Sequence, residues 1–203
     1  AAGPDHRVSR LRVGVLVSGE GSNLQALLTA TRDPMYPARV VVVLANHDCP
    51  ALERARKAGV TRAVFRFADY PDRKTRDLEM AKSLRFHGVE LVVCAGYDAV
   101  LVPAFTRQFA GRIINIHPSL LPAFGGTMDA VAQALQSGVP ETGCTVHIVT
   151  DEVDAGPVIA QRRVAIRSDD TVEKLRARIH AEEHILLPVV VRRLAGQVLP
   201  LPV

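Results

Sequence analysis

The chain has 203 residues, 48% of them hydrophobic, with 25 Lys and Arg against 21 Asp and Glu for a net charge of +4. That length suffices for one domain with a sizeable core. So mild and dispersed a charge argues against a nucleic-acid partner, while it suits a small anionic ligand. No stretch nears the ~18 uninterrupted apolar residues of a membrane span, and the polar start AAGPDHRVSR lacks a signal-peptide core. The three cysteines, Cys49, Cys94 and Cys144, are odd in number and widely spaced. They form neither a disulfide framework nor a metal-ligand pattern, so a reducing compartment, the cytoplasm, is expected with no metal bound.

In chain order, residues 13–17 (VGVLV), 40–45 (VVVVLA), 63–65 (AVF), 91–95 (LVVCA) and 113–116 (IINI) are short apolar runs. Continuous runs of this kind suit strands buried on both faces. Helix-period segments lie between them. Leu24, Leu27 and Leu28 share one face, and Leu52, Ala55 and Ala58 another, stopped by Gly59. Residues 73–86 space Leu78, Ala81 and Leu84 for a third helix. The alternation predicts an α/β fold with a doubly wound, mostly parallel sheet. After residue 120 the pattern changes to a loop with Pro122 and a Gly-Gly pair, then a short helix over 130–135. Residues 145–149 (TVHIV) and 158–164 read as strands. Asp170-Thr171-Val172-Glu173 resembles a capping box, with Asp170 as the cap of a long C-terminal helix that is expected to kink near Pro188. One domain is expected, after a loose tail over residues 1–10.

Three stretches carry candidate chemistry. Ser18-Gly19-Glu20-Gly21-Ser22-Asn23 sits between the first strand and the first helix. Glycines admit a ligand close to the backbone, and a helix start offers unpaired N–H groups and a positive dipole end. The loop is therefore either a phosphate cradle or a tight turn with a cap; it matches neither the Walker nor the GxGxxG pattern. In IINIHPSLLP, Asn115 and His117 stand two apart on a predicted strand, so they face one side while Ile114 and Ile116 face the other. Ligands of open α/β sheets bind outside the carboxyl ends of strands. There an amide can donate to a developing oxyanion and an imidazole can move a proton. The alternative is a satisfied polar pair closing a strand. The acidic turn DEVDAGP, residues 151–157, is either solvated or a source of a carboxylate that orients His117, with Gly156 able to take positive φ. His147 and His184 read as packed or capping histidines, although His147 alternates so that it could face His117.

Taken together and in order, SGEGSNLQALL, AGYDAVLVPAF, GRIINIHPSLLPAFGG, TGCTVHIVTDEVDAGPVIAQ and AEEHILLP resemble the phosphoribosylglycinamide formyltransferases, within the folate-dependent formyltransferase family. The resemblance runs from about Leu11 to about Leu199. It implies a Rossmann-like single domain over 11–203, with a nucleotide-binding half (11–110) and a folate-binding and catalytic half (111–203). It implies formyl transfer from 10-formyltetrahydrofolate, the co-substrate, to the amine of glycinamide ribonucleotide in purine synthesis. Asn115, His117 and Asp154 match the catalytic positions. Gly21, Ser22, Asn23, Arg73, Gly96, Ile116, Pro118 and Glu183 match positions around the ribonucleotide, and Tyr97, Asp98, Ala99, Leu101, Val149 and Asp151 match the folate pocket. A cis bond at Leu121-Pro122 is also implied, as is a monomer or homodimer that engages neither nucleic acid nor membrane.

The chain departs from the pattern at two places. Asp98-Ala99 stands where such sequences commonly read Met-Arg, and Asp129 stands where a loop histidine is frequent. These departures keep open a non-catalytic nucleotide- or folate-binding homologue. A formyltetrahydrofolate hydrolase, sharing the Asn-His-Asp set, is the other alternative; such relatives carry an extra N-terminal domain, whereas this chain starts about ten residues before its first strand.

Overall fold

The computed structural model describes residues 9–197. Seven strands form one sheet: β1 (Leu11–Val17), β2 (Ala38–Ala45), β3 (Thr61–Val64), β4 (Leu91–Cys94), β5 (Ile113–His117), β6 (Glu141–Ile148) and β7 (Val158–Ala165). Their spatial order is β3-β2-β1-β4-β5-β6-β7. The first five run parallel, and β6 and β7 add on antiparallel to their neighbours. The helices are α1 (Ser22–Ala30), α2 (Ala51–Lys57), α3 (Arg73–Phe86), α4 (Pro103–Thr106), α5 (Ala130–Ser137) and α6 (Val172–Ala195).

The parallel strands carry long apolar runs because both faces of the sheet are covered. On one face, Leu24, Leu27 and Leu28 of α1 and Leu175, Ile179, Leu187 and Val190 of α6 pack on Val13, Val15, Val43 and Val93. On the other, Met80, Ala81 and Leu84 of α3 and Phe105 and Phe109 cover Leu16, Leu44 and Val92. A Cβ at Gly14 would stand 2.7 Å from Leu84 Cδ2 and 2.9 Å from Val89, so glycine lets α3 sit close to β1. The edge strand β7 carries exposed Arg162 and Arg163, which blunt further strand pairing.

Several sequence expectations shift. β2 starts at Ala38 and β6 at Glu141, earlier than their apolar runs, because a strand continues wherever a neighbour offers ladder hydrogen bonds. The third strand ends at Val64, and α4 is a four-residue turn too short for periodicity to mark. The cap of α6 is Thr171, whose hydroxyl accepts from Lys174 N–H. Asp170 is engaged elsewhere: its carboxylate pairs with Arg178 and accepts from Arg167 N–H. α6 runs unbroken through Pro188, whose carbonyl accepts from the Tyr36 hydroxyl at 2.7 Å. Residues 1–8 of the expected tail lie outside the described residues; Arg10 donates to the carbonyls of Thr31, Tyr36 and Ala38.

Candidate active site

The strand order turns outward from β1 and β4, since β2 and β3 extend one way and β5 the other. Such a switch point opens a crevice at the carboxyl ends of the strands. A cavity of about 620 Å³ lies there, lined by Gly19–Asn23, by Gly96–Leu101, by Asn115–Pro118 and by parts of the 126–128 and 150–154 loops.

Asn115 and His117 project from the end of β5. The antiparallel register sets His147 opposite Asn115 and Thr145 opposite His117. Asn115 Nδ2 lies 3.2 Å from His147 Nε2. His147 Nδ1 lies 3.1 Å from the carbonyl oxygen of Ile148, which can only accept, so that nitrogen carries the proton. Nε2 then accepts from one N–H of the Asn115 amide, and the second N–H is left for a ligand. By the same reasoning His117 Nε2 donates to Phe124 O at 3.0 Å. Thr145, behind His117, accepts from Leu121 N–H and donates to Ser119 O, which fixes the loop leaving β5. The Leu121–Pro122 peptide in that loop is cis.

Asp154 arrives from the β6–β7 loop. Oδ2 is 3.5 Å from His117 Nδ1 and Oδ1 is 3.6 Å from His147 Nε2. Gly126 N–H donates to Oδ2 at 2.8 Å. The neighbouring His147 comes first among the groups that hold the Asp154 carboxyl below its usual range, and the Gly126 N–H and His117 add to it against the effect of burial. The positive φ open to Gly156 falls instead on Asp154, at 53°. Gly156 serves close approach: a Cβ there would stand 1.7 Å from Ile148 O. The loop can therefore turn tightly against the end of β6 and aim Asp154 at the two histidines.

At the other end of the cavity, Gly21 (φ 76°) precedes α1, and its Cβ would stand 2.6 Å from Ala51 Cβ. Among the described residues no side chain caps the N–H groups of this first turn. Glu183 is 3% exposed and accepts from Asn23 Nδ2 at 3.0 Å. Burial pushes its carboxyl up to about 7, against the opposing effect of the Asn23 hydrogen bond.

Most expected site residues thus meet around one cavity: Gly21, Ser22, Asn23 and Glu183 at one end, Asn115, Ile116, His117, Pro118 and Asp154 in the middle, and Gly96, Tyr97, Asp98, Ala99, Leu101 and Val149 along the far wall. Two stand apart. Arg73 is exposed on the first turn of α3, and Asp151 turns its carboxylate to the Thr106 hydroxyl at 2.7 Å. Sequence reasoning missed His180, which lines the cavity one helical turn before Glu183, at 4.0 Å between Nε2 and Oε2. Its i, i+3 spacing from Glu183 was the available signal. His147, read as a packed or capping histidine, is buried and also stands beside Asn115 and Asp154. His184 keeps a buried Nε2 with no partner among the described residues. Asp129 is exposed at the start of α5, and its side chain makes no cap hydrogen bond.

A doubly wound sheet with an amide, an imidazole and a carboxylate converging beside a helix start suits the transfer of an acyl group. The chain belongs to the formyl transferase family, whose signature matches residues 11–191. It is 39% identical over 182 residues to the phosphoribosylglycinamide formyltransferase of Escherichia coli (strain K12), covering 89% of this chain and 85% of that protein. It is 44% identical over 192 residues to the trifunctional purine biosynthetic protein adenosine-3 of Chironomus tentans, where the match covers 93% of this chain and only 14% of the relative. The crystal structure of glycinamide ribonucleotide transformylase 1 from Symbiobacterium toebii superposes with a TM-score of 0.89 at 48% identity, covering 92% of this chain and 88% of that one.

Proposed function

We propose that this chain transfers the formyl group of 10-formyltetrahydrofolate to the amine of glycinamide ribonucleotide, a step of purine synthesis. The convergence of Asn115, His117 and Asp154 on one cavity beside the open start of α1 is the observation that carries this reading. The relatives named above support the choice of substrates.

The ribonucleotide phosphate takes the N–H groups at Gly21–Asn23, where the helix dipole favours an anion. Glu183 accepts from ribose hydroxyls. The folate lies against Tyr97, Leu101 and Val149. The substrate amine attacks the formyl carbon and forms a tetrahedral oxyanion. Asn115 donates its free N–H to that oxygen, and His117 exchanges the Phe124 carbonyl for it. Asp154 stabilises positive charge on His117 and, through water, takes the proton that the amine must lose. The bond from carbon to folate N10 then breaks, and N10 recovers a proton. The chain works as a monomer or a homodimer in the cytoplasm, where its three free thiols remain reduced. No helix among the described residues is long and apolar enough to cross a membrane.

An absorbance assay for the deformylated folate, run with and without glycinamide ribonucleotide, tests the reading. Product that requires the ribonucleotide supports transfer. Product without it means hydrolysis, and binding of both ligands without product means a non-catalytic homologue; either result refutes the proposal.

A further inference from the structure

Asp98 follows β4, Ser18 follows β1, and Asn46 and His47 follow β2. These are the carboxyl ends of three adjacent parallel strands, and the Asp98 side chain gathers all three. Its Oδ1 accepts from Asn46 Nδ2 at 2.6 Å and lies 3.0 Å from Ser18 Oγ. Its Oδ2 is 3.3 Å from His47 Nε2. The Asp98 backbone N–H in turn donates to Ser18 Oγ at 3.0 Å. The single hydroxyl proton of Ser18 serves either Asp98 Oδ1 or Asn46 Oδ1, the latter at 2.8 Å. Both acceptors belong to the same cluster.

The segment so held is the far wall of the cavity. It is anchored before it by Ala95 N–H to Leu16 O and after it by Val102 N–H to the buried Asp77 carboxylate. Between those anchors, among the described residues, the one backbone hydrogen bond made by residues 96–101 is that of Asp98 to Ser18. Ser18 opens the phosphate loop, and Gly19 O accepts from Ala51 N–H at 3.0 Å. One carboxylate therefore ties the wall on the donor side to the loop on the ribonucleotide side.

We propose that Asp98 is a positioning residue: through Ser18 and Asn46 it latches the 96–101 wall to the phosphate loop and so sets affinity for the formyl donor. This rests on the function proposed above. It assigns Asp98 an indirect role, in which its carboxylate acts on the protein and the wall that it holds meets the donor. A hydrogen bond to a charged group is worth enough that losing the latch shifts an affinity about tenfold.

The test compares Asp98→Ala, Asp98→Asn, Ser18→Ala and the Ser18→Ala/Asp98→Ala double variant of the full chain. Asp98→Ala is expected to raise the donor KM about tenfold, more than it lowers kcat, and to leave the ribonucleotide KM within about threefold. Asp98→Asn retains an oxygen that accepts from Asn46 and Ser18, and is expected to restore most of the loss. Ser18→Ala in the Asp98→Ala background still removes the bond from the backbone N–H of residue 98, so the double variant is expected to lose more than Asp98→Ala alone but less than the sum of the two single variants. Hydrogen exchange on the unliganded chain gives a readout that needs no activity: the bonded amides of residues 98 and 102 should exchange about tenfold faster in Asp98→Ala and at nearly the native rate in Asp98→Asn. Unchanged exchange at residues 98 and 102 overturns the latch. A lower Tm with unchanged donor KM overturns the positioning role. A native chain without transfer activity sinks the function proposed above, and the exchange comparison then still decides whether the latch exists.

Discussion

Replacing Asp154 by Asn removes one charge from the candidate site while keeping its shape. Asn tolerates the positive φ of 53° at this position, and its amide oxygen can still accept from Gly126 N–H. What is lost is the attraction between the carboxylate and a positively charged His117, 3.5 Å away. With an effective dielectric constant of about 20 that attraction is about 5 kcal/mol. The Asp154 side chain is 11% exposed, and water there recovers part of it. About 3–4 kcal/mol remains at the transition state, so kcat should fall by about 10²–10³. The contact involves neither the phosphate loop nor Glu183, so the ribonucleotide KM should stay within about threefold. Steady-state rates of folate product release, measured at saturating donor over a range of ribonucleotide concentrations, give both numbers. Turnover within a factor of about five of the native chain would refute the charge argument. An equal loss in ribonucleotide affinity would show that the change had disturbed the whole cavity.

Asn115→Ala removes the amide that keeps one N–H free of His147, and kcat should drop about 10²–10³-fold; near-native turnover would exclude an oxyanion role. Ser22→Asp sets a negative charge on the first turn of α1, and ribonucleotide binding measured by calorimetry should weaken at least tenfold. Unchanged affinity would remove the phosphate from that loop. Glu183 supplies a pH test of stability. Its carboxyl rises from an ordinary value of 4.5 to about 7 on burial, so the native state holds its proton longer than the unfolded chain does. The native state therefore loses stability as pH rises between those values, by on the order of 3 kcal/mol. In urea unfolding of the unliganded protein, Glu183→Gln should flatten the fall between pH 5 and pH 7.5; an unchanged pH slope would mean that Glu183 is not titrating there.

The sheet was legible because its parallel strands are buried on both faces and so carry unbroken apolar runs, as in residues 40–45 and 91–95. α4 was not legible, since four residues hold only one turn of periodicity. The strand-end pair Asn115 and His117 could be placed on one face from their spacing alone. Their partners could not. His147 meets Asn115 only because β6 returns antiparallel in a register set by the loop that begins at Pro118. That loop is fixed by the Thr145 hydroxyl, a residue that carries no sequence signal of its own. Residue spacing offered an acidic turn with three carboxylates and could not choose among them. The choice comes from Gly156, whose missing Cβ lets the turn close against Ile148 O. Asp154 then faces the histidines, while Asp151 faces Thr106.

Asp98 illustrates the same limit. In the sequence it is an acid in place of an apolar residue near a ligand pocket, which reads as an impaired contact. In the structure its carboxylate is satisfied by side chains that lie 80 and 52 positions earlier in the chain. Burial works against its charge, yet the hydrogen bonds from Asn46, His47 and Ser18 outweigh burial and hold its carboxyl below the ordinary range. A substitution that looks like damage to a pocket wall is therefore also the group that fastens the wall. Residue type alone cannot tell these roles apart; the neighbours at the ends of β1 and β2 can, and only the fold brings them together.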